Sequence, residues 1–244
     1  MDLSIVIPAY REAPKIARDV QAAGEFLSRN RLSGEVIVAD DGSPDSTTQA
    51  AESTPVPPGI ERRVLRLEHR GKGHAVRQGM LATRAEYAMF ADSGVCVPFD
   101  DALNALELIK SGQCDIAHGS RKMHTSIISR RQSLYRRLLS RFFRQVALGV
   151  LSLPHDLTDT QCGFKVYRGL VAREIYTDCV TDGFMFDLEV LIRARQRGYI
   201  VMEFPVHWTC DPDSRLRPSR VFARSFSELL SLRGVLADER NRAR

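Results

Sequence analysis

The chemistry this sequence could do is concentrated in three carboxylate positions and one run of arginines. Asp40 and Asp41 close the apolar run VIVADD, Asp92 closes YAMFAD, and Asp159 opens DTQCGF. A carboxylate delivered to a strand end can hold a divalent cation. It can equally accept hydrogen bonds from the N–H edge of a nucleobase or from ribose hydroxyls. Adjacent carboxylates repel each other, so a sequence tolerates such a pair where something bonds to it. A turn over Asp41-Gly42-Ser43 would account for Asp41 but not also for Asp40. Between Asp115 and Asp156 there is no acidic residue, and that gap holds Arg121, Lys122, Arg130, Arg131, Arg136, Arg137, Arg141 and Arg144. Such a run suits phosphate groups, anionic lipid heads or nucleic acid, whereas a merely solvated helix face usually mixes signs.

Two further stretches are informative for what they lack. RGKGHAVRQGM is not a dinucleotide fingerprint, because Val76 stands where the third glycine would be, and no GxxxxGK[ST] is present. Its Gly-Lys-Gly turn could bind a phosphate through backbone N–H groups and Lys72, or be an ordinary tight turn. Asp92-Ser93-Gly94 offers one carboxylate where a metal-binding DxD would put a second at position 94.

These residues need a scaffold that brings strand ends together. SIVIP (4–8), EVIVADD (35–41), RRVLRLE (62–68), YAMFAD (87–92) and CDIAHGS (114–120) read as strands. Between them lie helical patterns: 14–30, with Pro14 at its start and Ile16, Val20, Ala23 and Leu27 on one face; a short helix capped by Asp45 or Ser46; 73–84; and FDDALNALELIKSG. This alternation predicts an α/β fold, a mostly parallel central sheet with helices on both faces. Ligands in such sheets bind at the carboxyl ends of the strands. Further on, Leu134, Leu138, Phe142 and Val146 make an amphipathic basic helix or helix pair over 129–152. Its apolar side could lie on an anionic bilayer surface or pack against 220–236. GFKVYRG reads as a strand or turn, EVLIRARQRGY as a helix ending at Gly198, and YIVMEFPVHW as a strand. A final helix would place Phe222, Phe226, Leu229 and Leu230 on one side. One domain with two halves is expected: 1–120 for the nucleotide, 121–244 for the second substrate.

Composition bounds the rest. Hydrophobic residues make up 43% of 244, enough for a sizeable core, with net charge +5. No stretch approaches the roughly 18 to 20 apolar residues of a membrane span. MDLSIVIPAY has no basic leader, so a cytoplasmic protein is expected, in peripheral contact with the inner membrane face if the basic helix binds lipid. Cys96, Cys114, Cys162, Cys179 and Cys210 are dispersed and fit reduced thiols. No nucleic-acid partner is expected, because the arginines lack interleaved stacking aromatics on a strand surface.

SIVIPAYREAPKI, VIVADDGSPDST, HRGKGHAVRQGM, FADSG and DTQCGFKVYR stand in order. Together they resemble the family 2 glycosyltransferases of GT-A fold, over roughly residues 2–236. Within that family the chain is similar to dolichyl-phosphate glucose and mannose synthases and to bacterial polyprenyl-phosphate glycosyltransferases. GFMFDLEVLIRARQRGY and PVHW, followed by SRL, tilt it to the glucose branch.

The resemblance implies an inverting transfer of a hexose from a nucleotide-diphosphate sugar, UDP-glucose-like, to a polyprenyl or dolichyl phosphate, with a soluble small-molecule acceptor as the alternative. It also assigns residues. Pro8, Tyr10 and Glu12 match the first nucleotide-contacting loop, Asp40 the carboxylate that reads the base, Asp41 its neighbour at the ribose, and Lys72 the motif closing over the nucleotide. Asp92, with Ser93 beside it, matches the first carboxylate of the motif that binds Mg²⁺ or Mn²⁺; His207 is a second candidate metal ligand. Arg121 and Arg130 or Arg131 match basic residues near the donor diphosphate and acceptor phosphate. Asp159 matches a carboxylate at the acceptor side, the candidate base for an alcohol acceptor. The departure is Gly94, which leaves metal dependence open; the arginines could replace part of the metal's charge.

Overall fold

The computed structural model describes residues 1–130, 149, 157–209 and 218–242. Arg131, the rest of the basic segment to 148 and Cys210 lie outside the described residues. Strands β1 (Leu3–Ala9), β2 (Gly34–Asp40), β3 (Ile60–Arg66), β4 (Tyr87–Ala91), β5 (Ile116–Ser120), β7 (Phe164–Arg168) and β8 (Val201–Pro205) form one seven-stranded sheet in the order β3-β2-β1-β4-β7-β5-β8. β1, β2, β3 and β4 run parallel, β8 runs parallel to β5, and β7 is antiparallel to both β4 and β5. A separate parallel pair joins β6 (Ile127–Arg130) to β9 (His207–Thr209).

The central strands are apolar on both sides because helices cover both faces. Ile5, Ile7, Val36, Val38 and Met89 pack with α1 (Ile16–Arg29) and α4 (Ala102–Lys110). Val6, Ile37, Ala88 and Phe90 pack on the opposite face with α3 (Lys72–Leu81), α5 (Gly169–Asp178) and α6 (Phe186–Gln196). Each such side chain stabilises the fold by about 1.5–3 kcal/mol on burial. α2 (Thr47–Ser53) is short, and α6 is closed by Gly198 at φ 77°, the left-handed position a helix stop favours.

Three expectations need correction. YIVMEFPVHW is not one strand: it breaks at Val206 into β8 and β9, which pair with different partners. Helix α5 and strand β6 were not foreseen from the sequence. In the last helix, α7 (Pro218–Arg242), Leu229, Leu232 and Leu236 are buried while Phe226 and Leu230 face outward, so the inward stripe is rotated from the one expected.

Candidate active site

The parallel strands present their carboxyl ends along one edge, and the tips of β2, β4 and β5 carry Asp40, Asp92 and Arg121. A chain of contacts joins them.

At the β2 tip the two aspartates both bond to the chain. Asp40 accepts the Ser43 N–H at 3.0 Å and the Ser43 hydroxyl at 2.5 Å on Oδ1, and the Thr48 hydroxyl on Oδ2. Asp41 accepts the N–H groups of Arg70 (3.0 Å) and Gly71 (3.0 Å), and its Oδ2 lies 2.8 Å from His69 Nδ1. The turn reading is thus reversed: Asp40 closes the turn, and Asp41 anchors the 69–71 loop that leads into α3. The His69 ring stacks on Tyr10, centroids 4.1 Å apart and planes 10° from parallel, and Arg11 lies over Tyr10. Pro8 is buried within β1. The Glu12 carbonyl accepts the Lys15 and Ile16 N–H groups at the start of α1, and its N–H donates to Thr47 Oγ1 at 2.9 Å. Of the two expected caps of the short helix, Ser46 stands at the capping position without a side-chain bond, and Asp45 before it accepts the Thr47 N–H at 3.1 Å.

Lys72 opens α3 and reaches Asp92, with Nζ 2.6 Å from Oδ1. Burial favours the neutral amine, but the carboxylates of Asp92 and Asp187 outweigh it and raise the Lys72 pKa above its ordinary value. The start of α3 is seated by Asp182, whose carboxylate binds Arg70 and Arg77 at 2.7 Å each and whose carbonyl accepts the His74 N–H. Gly73 is required there: a Cβ would come within 2.5 Å of the Thr181 carbonyl oxygen. Below Lys72, the fully buried Lys165 bonds Asp187, whose pKa burial raises despite Lys165 and Lys72.

Asp92 donates its N–H to the Gly163 carbonyl at 2.8 Å. A Cβ on Gly163 would fall 2.1 Å from the Asp92 carboxylate, so DTQCGF places its glycine directly against this acid. Ser93 follows, partly exposed, and Gly94 sits at φ 98° with its N–H on Asp19 Oδ2 at 2.7 Å.

At the β5 tip Arg121 grips Asp159 in a fork: Nε to Oδ2 at 2.6 Å and Nη2 to Oδ1 at 2.8 Å, with the Arg121 N–H adding a third bond to Oδ2 at 3.1 Å. The guanidinium lies 5.5 Å from the Trp208 ring centroid. Burial would raise the Asp159 pKa, but the charge and hydrogen bonds of Arg121 hold it well below the carboxylate range. Beside it the Cys162 thiol is pushed by burial to about 12 and is inert as a nucleophile. Arg130 ends β6, in register with Thr209.

The pattern of residues 4–175 matches the family model for glycosyl transferase family 2. The chain belongs to this family. It is a glycosyltransferase of GT-A fold. It is 32% identical over 225 residues to the dolichyl-phosphate beta-glucosyltransferase of Saccharomyces cerevisiae, covering 84% of this chain and 66% of that one. To the enzyme of the same name from Drosophila melanogaster it is 33% identical over 230 residues, covering 89% and 70%. The chain thus spans about two thirds of the length of these relatives. A solved structure of glucosyl-3-phosphoglycerate synthase from Mycobacterium tuberculosis, in complex with Mn²⁺, UDP-glucose and phosphoglyceric acid, superposes at a TM-score of 0.68 with 17% identity, covering 96% of this chain and 80% of that one.

In this glycosyltransferase the donor set for a cation is narrow. Among the described residues no three His, Cys, Asp or Glu side chains cluster to hold a metal. His207 is not brought to such a cluster: its Nδ1 lies 2.8 Å from Asp101, its N–H is bound to the same carboxylate, and strand alternation puts Trp208, not His207, on Arg121. Asp92 remains, half-exposed, with Oδ1 contacted by the Lys72 ammonium and by no hydrogen bond of ordinary geometry. That fits a cation taking most of its oxygens from the donor diphosphate and water. Among the described residues no helix is long and apolar enough to cross a membrane.

The sequence reading assigned no role to His69, Asp182, Asp187, Trp208 or Glu203. His69, Asp187 and Trp208 stood inside HRGKGHAVRQGM, GFMFDLEVLIRARQRGY and PVHW; Asp182 and Glu203 are recognised only by partners far along the chain.

Proposed function

We propose that this glycosyltransferase moves glucose from UDP-glucose to a polyprenyl or dolichyl phosphate, with inversion at the anomeric carbon. One observation carries the choice of acceptor. Asp159, the candidate base for an alcohol acceptor, has both oxygens on Arg121, whose charge and hydrogen bonds hold its carboxyl well below the ordinary carboxylate range. A general base works best with a pKa near the working pH. A lipid monophosphate needs no base, because its second ionisation lies near about 6 and its oxygen is already anionic at neutral pH. It needs a fixed cation, and Arg121 is that: Asp159 occupies Nε and Nη2, and among the described residues Nη1 donates no hydrogen bond and is left for an anion. The names of the dolichyl-phosphate glucosyltransferases support the same acceptor and sugar.

The reaction follows from the residues. The acceptor phosphate oxygen attacks the anomeric carbon as the bond from that carbon to the UDP oxygen breaks, and no proton moves. Lys72 meets the negative charge gathering on the diphosphate, a preorganised charge that strengthens as the leaving group forms. The stacked Tyr10 and His69 and the loop pinned by Asp41 offer a surface for the nucleoside. Asp92 and the donor diphosphate would hold a divalent cation, Mg²⁺ or Mn²⁺, which adds Lewis-acid stabilisation of the same charge. Arg121 holds the acceptor in line with the leaving group; Arg130 and Arg131 are further candidates for its phosphate on the family resemblance alone.

The test is direct. Incubated with UDP-glucose, the protein should glucosylate a short polyprenyl phosphate, detected by mass, and leave the matching free polyprenol untouched. Equal use of the free alcohol, or transfer only to a soluble phosphorylated acid, would refute the lipid-phosphate reading.

A further inference from the structure

Behind the Arg121–Asp159 pair stands a carboxylate that the reaction does not use. Glu203 lies on β8, which runs parallel beside β5, two residues before the register partner of Ser120. Its Oε1 accepts the Asp159 N–H at 2.7 Å and its Oε2 the Thr158 N–H at 2.8 Å. The Thr158 hydroxyl donates to Glu203 at 2.9 Å and meets the Ser120 hydroxyl at 2.9 Å. One side chain therefore takes two consecutive backbone N–H groups and ties them to β8, while the Thr158 hydroxyl reaches Ser120 at the end of β5, the strand that leads into Arg121. Hydrogen bonds from N–H to a carboxylate are among the stronger kind, and two converging on one group leave the segment little freedom. Asp159, fixed at its backbone by Glu203, fixes the guanidinium by its carboxylate, and Trp208 covers the guanidinium face.

We propose that Glu203 is a positioning residue for the acceptor phosphate: it holds the Thr158–Asp159 backbone so that Asp159 presents Arg121 to the acceptor in one orientation. This rests on the reading of Arg121 as the receptor for that phosphate. Glu203 is only partly buried and lies on an edge strand, so the fold has little need of a carboxylate here. Its bonds all go to the segment that carries Asp159.

The chain contains one tryptophan, Trp208, and the guanidinium of Arg121 lies against its ring, so Trp emission reports the position of Arg121 without any need for turnover. The protein is compared with its Glu203→Ala, Glu203→Gln and Arg121→Lys variants. In Glu203→Ala the emission should move most of the way to that of Arg121→Lys. The KM for a short polyprenyl phosphate should rise roughly tenfold, with the KM for UDP-glucose within about twofold; a displacement of order 1 Å at a positioned group is enough for such a loss. Glu203→Gln keeps one N–H bond through its amide oxygen and should fall between, which keeps the idea testable if the alanine variant does not fold. Unchanged emission in both Glu203 variants, or KM values for donor and acceptor rising together, would overturn the proposal. If the wild-type chain does not glucosylate polyprenyl phosphate, the functional reading fails while the emission comparison still decides whether Glu203 places Arg121.

Discussion

The tips of β4 and β5 each pair a carboxylate with a cation, but they are built in opposite ways. At β5 the acid is the hidden partner: Asp159 is 2% exposed and takes three hydrogen bonds from Arg121. At β4 the acid is open: the Asp92 side chain is 37% exposed and meets a single ammonium. The first arrangement spends a carboxylate on orienting an arginine. The second leaves a carboxylate and a lysine loosely matched, ready to exchange each other for a ligand's charges. The same two charge types thus serve as scaffold at one strand tip and as reagent at the neighbouring one, and burial decides which.

The largest effect expected from this contrast is on stability. Arg121→Ala leaves the buried Asp159 without its counter-charge, with only the N–H of residue 121 still on it, and removing one partner of a buried pair costs about 3–5 kcal/mol. Asp92→Ala removes a half-exposed partner, and such pairs are worth about 1 kcal/mol or less. Urea denaturation of the two variants measures both. If Asp92→Ala proves as damaging as Arg121→Ala, the distinction between the tips collapses.

Next in size is the effect of Asp92→Ala on turnover. Loss of one preorganised charge contact at a reacting diphosphate costs about 10²–10³ in kcat. Transfer by Asp92→Ala should fall by that factor while its denaturation midpoint stays close to wild type. Turnover within tenfold of wild type would mean that Lys72 alone carries the leaving group, and that the open acid is not part of the reagent.

How far this contrast could be read from the sequence differs between the tips. The β4 tip was legible, because an apolar run ending in Asp92 places that acid at a sheet edge whatever the rest of the fold does. The β5 tip was half legible. Arg121 and Asp159 stood out as residue types, but their pairing joins positions 38 residues apart, and nothing local in either stretch predicts it. Glu203 was invisible for the same reason: within YIVMEFPVHW it is one polar residue in a strand, and its meaning lies in N–H groups 44 and 45 residues earlier. GFKVYRG read as a strand or a turn; it is the strand β7, and its antiparallel direction is set by where the chain returns, which periodicity does not encode. At β2 the residue types were right and the bonds were exchanged, since either aspartate of Asp40-Asp41 can close a turn and only the approach of the 69–71 loop decides between them. In α7 the rows 226/229/230 and 229/232/236 are both helical stripes, and packing chose the second.

Gly94→Asp sharpens the account of the open tip and should have a moderate effect. At φ 98° an aspartate is strained, at about 1–3 kcal/mol, which should appear as a lowered melting temperature. The new carboxylate would add a second oxygen ligand two residues from Asp92, so Mn²⁺ should bind more tightly in the presence of UDP, as read by the loss of free-ion EPR signal. An unaltered Mn²⁺ titration would show that the backbone at 94 aims the side chain away from the diphosphate.

The smallest effect is expected at His207, and it separates a ligand from a brace. The imidazole sits 2.8 Å from Asp101 with its side chain 57% exposed, so the pair holds β9 to the turn after β4 from the solvent side. Asp101 is buried but its partner ring is exposed, and a pair open to solvent on one side contributes about 1 kcal/mol. The His207 N–H also binds Asp101, and that bond survives truncation of the ring. His207→Ala should therefore keep transfer within about twofold, lower stability by less than about 1 kcal/mol, and leave Mn²⁺ binding in the presence of UDP unchanged. Weakened Mn²⁺ binding would return His207 to the metal and make Asp92 one of two protein ligands. The β4 tip would then be a closed metal site, and its contrast with the arginine-filled tip of β5 would rest on the cation and no longer on exposure.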